Sequence, residues 1–230
     1  MTKIIGSPTR YIQGKGELKN LAKRASVIGD HLFILVDKNI KGIVLPAIEA
    51  GMGDTKYDVV EFNGECCMTE INRVIDVLKE KGGNVVIGVG GGKTHDTAKA
   101  VGYYTNHPVV IVPTIASTDA PCSALSVIYT EDGVFEKYLF LPSNPNIVLV
   151  DTEVVSKAPA RLLAAGIGDA LATYFEARAC WLSEADNCVG GKPTKTAMAL
   201  AKLCYETLLE DGVSAYLAVK NKVCTKAVEN

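Results

Sequence analysis

The chain has 230 residues, a formal net charge of −2, and a composition that is 48% hydrophobic and 22% charged. This balance is typical of a globular protein and gives no electrostatic case for a nucleic acid or membrane partner. Because no apolar run approaches the roughly 18 residues that span a bilayer, and residues 1–10 lack the apolar core of a signal peptide, we expect a cytoplasmic protein.

Short apolar runs rich in valine and isoleucine predict strands that are buried on both faces of a parallel sheet. The predicted strands are 32–36, 59–62, 85–89, 109–112 and 147–150. Between them, apolar residues at three- and four-residue spacing predict helices over 17–25, 41–50, 70–81 and 94–104. This alternation predicts an α/β fold with right-handed crossovers.

Two further patterns follow in the second half of the chain. A turn at residues 131–133 between the apolar segments 125–129 and 135–141 predicts a β-hairpin. Beyond about residue 151 the pattern becomes helical, with predicted helices over 160–181, over 194–210 with Thr194 as its cap, and over 214–220. The sequence therefore predicts an α/β domain over residues 1–158 and a short all-helical domain over 159–230.

The glycine run Gly90-Gly91-Gly92, followed by Lys93, joins the predicted strand 85–89 to a predicted helix. Glycines let the backbone approach a ligand closely, and a helix N-terminus offers unpaired N–H groups and partial positive charge. The pattern favours phosphate binding over a tight turn without a ligand. It is not the usual dinucleotide fingerprint, because Lys93 stands where the third glycine belongs. In the first turn of this helix, Asp96 suits the dipole and His95 has no clear catalytic role.

Asp37 lies at the carboxyl end of the predicted strand 32–36. A carboxylate in this position can bind ribose hydroxyls and repel a 2′-phosphate, which would favour NAD over NADP. The alternative is a carboxylate that caps its own turn.

A long polar loop follows the predicted strand 109–112, and ligands of open α/β sheets bind beyond such strand ends. Asp119 in this loop is a candidate to accept hydrogen bonds from a polyol. An equally good interpretation is a loop whose hydroxyl groups satisfy its own backbone. The hydroxyls that could bind phosphate, ribose or nicotinamide belong to Thr114, Ser117, Thr118 and Ser123.

Asp169 is the one carboxylate in the apolar stretch 160–172. A buried carboxylate is costly without a partner. A metal ion is one solution, and an N-cap that follows Gly168 is the other and slightly favoured one.

Three segments together resemble the glycerol dehydrogenases of the iron-containing alcohol dehydrogenase superfamily, and the likeness extends over essentially the whole chain. They are GGGKTHDTAKA at 90–100, PTIASTDAPCSALSVIYT at 113–130 and AGIGDALATYFEARAC at 165–180. The resemblance implies a dehydroquinate synthase-like fold, in which a parallel-sheet dinucleotide-binding domain precedes a helical domain. Other superfamily members, such as glycerol-1-phosphate dehydrogenases and dehydroquinate synthases, are disfavoured by the match at 114–129.

The resemblance also implies roles for individual residues. Asp37 would bind the adenosine ribose, and Asp119 would contact the hydroxyls of glycerol or a related vicinal diol. Asp169 would be one ligand of a catalytic zinc. The remaining residues would hold the pyrophosphate or line the rest of the NAD site: Gly90, Gly91, Gly92, Lys93, Thr114, Ser117, Ser123, Leu125 and Tyr129.

The sequence departs from the family at the metal site. The family's other two zinc ligands are histidines in its helical domain, whereas His31, His95 and His107 all precede Asp169. His95 also replaces a residue that is usually apolar. We therefore expect an N-terminal portion of the enzyme with an incomplete zinc site.

The sequence leaves two alternative functions. The first is NAD-dependent oxidation of glycerol to dihydroxyacetone, which we expect to be slow or absent in this chain. The second is a non-catalytic, NAD-binding and self-associating protein. Because residues 160–210 would pack on helices that are absent here, we also expect an exposed apolar patch and a homo-oligomer.

Overall fold

The structure is a computed structural model that describes residues 2–230. Its centre is a sheet of six parallel strands, and a separate antiparallel hairpin lies beside it. The sheet strands are β1 (Arg10–Gly14), β2 (His31–Asp37), β3 (Lys56–Phe62), β4 (Val85–Gly90), β5 (Val109–Pro113) and β8 (Ile147–Asp151), and the hairpin strands are β6 (Leu125–Tyr129) and β7 (Phe135–Phe140). The predicted strands, the hairpin and the α/β class are confirmed.

Helices connect the strands and fill the end of the chain. A 3-10 turn (Glu17–Asn20) leads into α1 (Leu21–Ala25), and the longer helices that follow are α2 (Lys41–Glu49), α3 (Met68–Lys81) and α4 (Gly92–Thr105). The last third holds α5 (Thr152–Lys157), α6 (Ala160–Leu182), α7 (Lys195–Lys220) and α8 (Lys226–Glu229). No helix within residues 2–230 has the length and apolarity needed to cross a bilayer.

One local prediction is wrong, and several short elements were missed by the sequence. The predicted break between helices 194–210 and 214–220 is wrong, because α7 runs through it with Gly212 buried inside the helix. Thr194 is confirmed as the cap, since its side chain accepts the N–H of Ala197. The edge strand β1 and the short helices α5 and α8 were not predicted. Asp151 begins α5 by accepting the N–H of Glu153.

The sheet carries a separate apolar core on each face, because successive residues of a strand point to opposite sides. In β2, Leu32, Ile34 and Val36 pack with α1 and α2, whereas Phe33 and Leu35 pack with α3 and α4. All these side chains are fully buried. The sequence of β2 is therefore a continuous apolar run, as expected for an inner parallel strand.

The strand order β1-β8-β5-β4-β2-β3 determines where the sheet has a crevice for a ligand. After β2 the chain moves outward to β3, then crosses back to β4 and continues in the opposite direction across the sheet. Neighbouring strands whose connections run in opposite directions leave a crevice at their carboxyl ends, where open α/β sheets bind ligands. That point lies between the ends of β2 and β4, at Asp37 and Gly90.

Helix α6 approaches the loop after β5 very closely through Gly166. A Cβ atom at Gly166 would overlap the carbonyl group of Ala116, whereas one at Gly168 would meet open space. Both glycines lie inside the same helix. The close approach at Gly166 therefore fixes how α6 sits against that loop.

The other side of the α6–α7 pair is exposed and apolar. Helix α6 has no buried residue, although it packs on α7. The exposed large apolar side chains on these two helices are Phe175, Leu182, Leu200, Leu203, Leu209, Val213 and Leu217.

The two helix glycines give a matched pair of substitutions. We expect Gly166→Ala to destabilise the protein by about 1–3 kcal/mol, because the added methyl group overpacks the α6–loop contact. Gly168→Ala should instead stabilise it by about 0.5–1 kcal/mol through its better helix propensity. Urea unfolding of both variants measures this, and equal effects would contradict the close contact.

Candidate functional site

The end of β4 and the start of α4 form a bare, uncapped helix N-terminus. Gly91 is the N-cap residue, and no side chain caps the helix. The first N–H groups of α4 are therefore available to an anion. Gly90 has to be glycine, because a Cβ there would lie 2.7 Å from Thr94 Oγ1 and 3.2 Å from Asp37 Cβ.

Asp37 is next to this loop, at the end of the neighbouring strand β2. Its Oδ1 accepts hydrogen bonds from the backbone N–H of Asn39 at 2.8 Å and from its side-chain amide at 3.0 Å. Asp37 therefore caps its own turn, which was the alternative interpretation of the sequence. Both bonds use Oδ1, so the cap and a ribose-binding role are compatible.

Lys93, which the resemblance assigns to the NAD site, is ion-paired in the structure. Its Nζ lies 2.6 Å from Glu65 Oε2 and 5.2 Å from the centre of the Tyr129 ring. Glu65 comes from the loop between β3 and α3, and nothing in its sequence context had marked it. Its position shows only once the strand order brings that loop beside α4.

The loop after β5 lies directly on the glycine run. The N–H of the buried Thr114 donates to the carbonyl of Gly90 at 3.0 Å. Cβ atoms built on Gly91 and Gly92 would lie 3.1 Å from Ile115 Cδ1 and 3.4 Å from Thr118 Cγ2. Ser117, further along, is half-buried beside Gly166 of α6.

A buried ion pair on α4 holds this loop and the hairpin in place. Lys99 is 2% exposed, and its Nζ lies 2.9 Å from Asp96 Oδ1. Burial raises the pKa of Asp96, and the charge of Lys99 opposes that rise. The Lys99 ammonium also donates to the carbonyls of Ala120, at 2.9 Å, and of Leu125.

Asp96 connects the same helix to β6. Its Oδ2 accepts the N–H of Val127 at 3.1 Å, and its carbonyl accepts the hydroxyl of Ser126 at 3.0 Å. The hydroxyl of Ser123 lies 3.1 Å from Lys99 Nζ. Ser123 and Leu125 thus contact the ion pair, while Tyr129 lies under Lys93.

Asp119 and Asp169 line one cleft of about 490 Å³ between the sheet and α6. The N–H of Asp119 donates to Asp169 Oδ2 at 3.0 Å. The pKa of Asp119 is raised, first by its partial burial in the cleft and then by the charge of Asp169. Most of the other lining residues are apolar, including Ile115, Val150 and Leu163.

Two expectations about Asp169, that it is an N-cap and that it is buried, are wrong. Asp169 is not an N-cap, because α6 begins at Ala160 and runs on to Leu182. It is not buried either, and its carboxylate faces the loop of Asp119. Its apolar neighbours in sequence belong to a helix that exposes much of its surface.

The described residues, 2–230, bring no three His, Cys, Asp or Glu side chains together in a metal-binding arrangement. His31 Nε2 lies 2.8 Å from Asp58. His107 precedes β5, at the edge of the sheet opposite to Asp119. Asp169 therefore lies beside Asp119, with no imidazole among the residues that line their cleft.

His95 is buried under the glycine loop, with 1% of its surface exposed. Neither ring nitrogen has a hydrogen-bond partner among the described residues. Burial, helped by the charge of Lys99, lowers the pKa of His95 to about 3, so the ring is neutral at pH 7. The nearby backbone of Gly90 and Val112 partly opposes this shift without forming a good hydrogen bond.

Known proteins are similar to this chain in sequence and fold. Residues 8–152 match the family described as iron-containing alcohol dehydrogenase. A glycerol dehydrogenase of Pseudomonas putida is 49% identical over 100% of this chain and 63% of its own length. One of Thermotoga maritima is 52% identical over 96% of this chain and 61% of its own length.

A solved structure agrees with these sequence matches. The chain is similar to a probable glycerol dehydrogenase from Sinorhizobium meliloti 1021, with a TM-score of 0.94 and 46% identity. The match covers 99% of this chain and 63% of that one. The chain thus spans somewhat less than two thirds of the length of these relatives.

The buried pair predicts a large effect of one substitution. Lys99→Met should lower the free energy of unfolding by about 3–5 kcal/mol, because it leaves the Asp96 carboxylate buried without a counter-charge. The control is Lys41→Met, which breaks the exposed Lys41–Glu61 pair and should cost less than about 1 kcal/mol. Denaturant unfolding compares them, and equal costs would contradict the structural role of Lys99.

His95→Leu should stabilise the protein by about 1–3 kcal/mol at pH 7, because it removes a buried polar ring that lacks partners. The folded-state pKa of about 3 lies below the ordinary 6.5. Wild-type stability therefore falls as the pH drops from 7 toward 3, and the leucine variant lacks this contribution. Unfolding at pH 5 and pH 7 should show a larger gain at pH 5; a constant gain would contradict it.

Proposed function

Because this chain belongs to the iron-containing alcohol dehydrogenase family, we propose that it binds NAD at the carboxyl edge of its sheet and serves the oxidation of glycerol to dihydroxyacetone. The observation that carries the proposal is the uncapped N-terminus of α4 at the crevice between β2 and β4. The substrate assignment follows the names of the relatives, glycerol dehydrogenases of Pseudomonas putida and Thermotoga maritima.

Three features support a dinucleotide in this crevice. The free N–H groups of α4 suit a pyrophosphate. Gly91 and Gly92 leave room for a ligand to approach the backbone. Asp37 is adjacent to Gly90, where its free carboxylate oxygen suits ribose hydroxyls and disfavours a 2′-phosphate. We therefore propose NAD rather than NADP as the cofactor.

The polyol would lie in the adjoining cleft. Asp119 and Asp169 both line this cleft, and their carboxylate oxygens would accept hydrogen bonds from the hydroxyls of a vicinal diol. A bound nicotinamide would supply the hydride acceptor. The proposal assigns the rest of the NAD site to Thr114, Ser117, Ser123, Leu125 and Tyr129.

Zinc chemistry does not fit the residues that the structure describes. Catalytic zinc sites use three protein ligands and one open position, and residues 2–230 contain no such cluster. Asp169 stays a proposed ligand of an incomplete site. We derive no catalytic step through a metal for this chain.

A second function is favoured by the exposed apolar side of α6 and α7. Large exposed apolar patches promote association. In this alternative, residues 1–158 bind NAD in the cytoplasm, residues 159–230 form a helical domain that makes a homo-oligomer, and no turnover occurs. Binding and turnover therefore have to be measured separately.

Gly92→Ala tests the nucleotide site. Its Cβ would be in ordinary contact with Thr118 and Ala120, so the variant should fold, but the methyl group enters the space in front of the helix N–H groups. We expect NAD affinity, measured by calorimetric titration, to fall about tenfold or more, since each 1.4 kcal/mol lost is a factor of ten.

The matched control is Gly42→Ala in the first turn of α2, where a Cβ meets open space; its NAD affinity should equal that of the wild type. NADH production from glycerol, followed in the same samples, separates the two functions. Binding with turnover supports the dehydrogenase and binding without turnover supports the alternative. A wild-type chain that does not bind NAD would contradict both.

A further inference from the structure

Glu65 is held at both oxygens of its carboxylate. Oε2 lies 2.6 Å from Lys93 Nζ, and Oε1 accepts the backbone N–H of Cys66 at 2.9 Å. The Glu65 side chain is 20% exposed. The Lys93 side chain is 49% exposed, so only the carboxylate side of the pair is shielded from solvent.

The surroundings of Glu65 keep it in this position. The N–H of Tyr129 donates to the carbonyl of Cys66 at 2.9 Å, and the Thr69 hydroxyl donates to Glu131. A Cβ atom on Gly133 would lie 3.2 Å from Glu65 Oε2, so the hairpin turn packs directly on the carboxylate. The β3–α3 loop and the hairpin therefore hold the backbone of Glu65 beside Lys93.

The position of Lys93 means that its ion pair with Glu65 changes the net charge at the ligand-binding end of α4. Lys93 is the second residue of α4, and its ammonium lies over the Tyr129 ring. A free lysine there would add a full positive charge to the anion-binding end of the helix. With Glu65 in contact, the side-chain charges cancel, and the N–H groups and helix dipole provide the remaining attraction.

We propose that Glu65 sets the charge selectivity of the nucleotide site. It neutralises Lys93, so that the site binds a ligand with few negative charges. Additional negative charges on the ligand then do not increase its affinity. Glu65 is a specificity-determining residue in this role, acting through Lys93 and without touching the nucleotide. The proposal rests on dinucleotide binding at α4.

The test is Glu65→Gln, which keeps the size of the side chain and an oxygen for the Cys66 N–H but removes the negative charge. Wild type and variant are titrated with adenosine, AMP, ADP, NADH and NADPH at low salt. Adenosine affinity should not change. The gain should rise from AMP to ADP and reach about tenfold for ADP, NADH and NADPH, whose diphosphates would lie at the helix N-terminus, as expected for one unit charge removed a few ångströms from a phosphate. The gain should shrink at high salt.

Two further variants separate charge from structure. Glu65→Asp keeps the charge and should retain the wild-type order of affinities. Glu153→Gln breaks another lysine–carboxylate pair, Lys157–Glu153 on α5, and should leave every affinity unchanged. A thermal melt of each variant verifies that it is folded.

The outcomes distinguish this proposal from the one on which it rests. If the wild type binds NADH and Glu65→Gln shows no gain, a loss, or the same gain for adenosine and NADPH, the role of Glu65 is overturned and NAD binding stands. If the wild type binds none of the phosphorylated ligands, NAD binding is overturned. A gain for Glu65→Gln that rises from AMP to ADP supports both.

Discussion

Lys99 carries an ammonium group into the interior of the protein. Without a counter-charge there, the ammonium would lose its proton or the protein would not fold. Asp96, three residues earlier on α4, supplies the counter-charge at 2.9 Å. The remaining donors of Lys99 reach carbonyls of the loop after β5 and of β6. One helix thereby contacts both segments, and these are the segments that carry Thr114, Asp119 and Tyr129. A loop fixed by a buried ion pair provides a more preorganised surface than a loop fixed by its own turns.

The topology of the sheet brings the remaining parts of the proposed site together. The connections from β2 and from β4 run in opposite directions, and this places Asp37 and the glycine loop on the two sides of one crevice. Gly166 adds the third side, because it lets α6 bring Asp169 within 3.0 Å of the Asp119 N–H. The proposed cofactor and polyol sites are therefore contiguous, and they share the loop that Lys99 holds.

The sequence predicted the elements whose burial is uniform. Strands β2 and β4 are apolar throughout because they are covered on both faces, and the glycine run follows directly from its local pattern. Prediction from the sequence failed where the burial of a residue depends on which other element packs against it. Asp169 has apolar neighbours but lies on an exposed part of α6, so local composition gave the wrong burial and the wrong cap. Glu65 lies 28 residues from Lys93 in the chain, and no local signal links them. The spacing of Asp96 and Lys99 did hold a signal, since residues three apart on a helix are neighbours.

The most direct test of this account is hydrogen–deuterium exchange of Lys99→Met, read by peptide under conditions in which the variant stays folded. If the ion pair positions the site, amides in residues 114–129 should lose protection while β2 and β4 keep the protection of the wild type. Uniform loss across the sheet, or unchanged protection in residues 114–129, would show that the loop and the hairpin are held by other interactions.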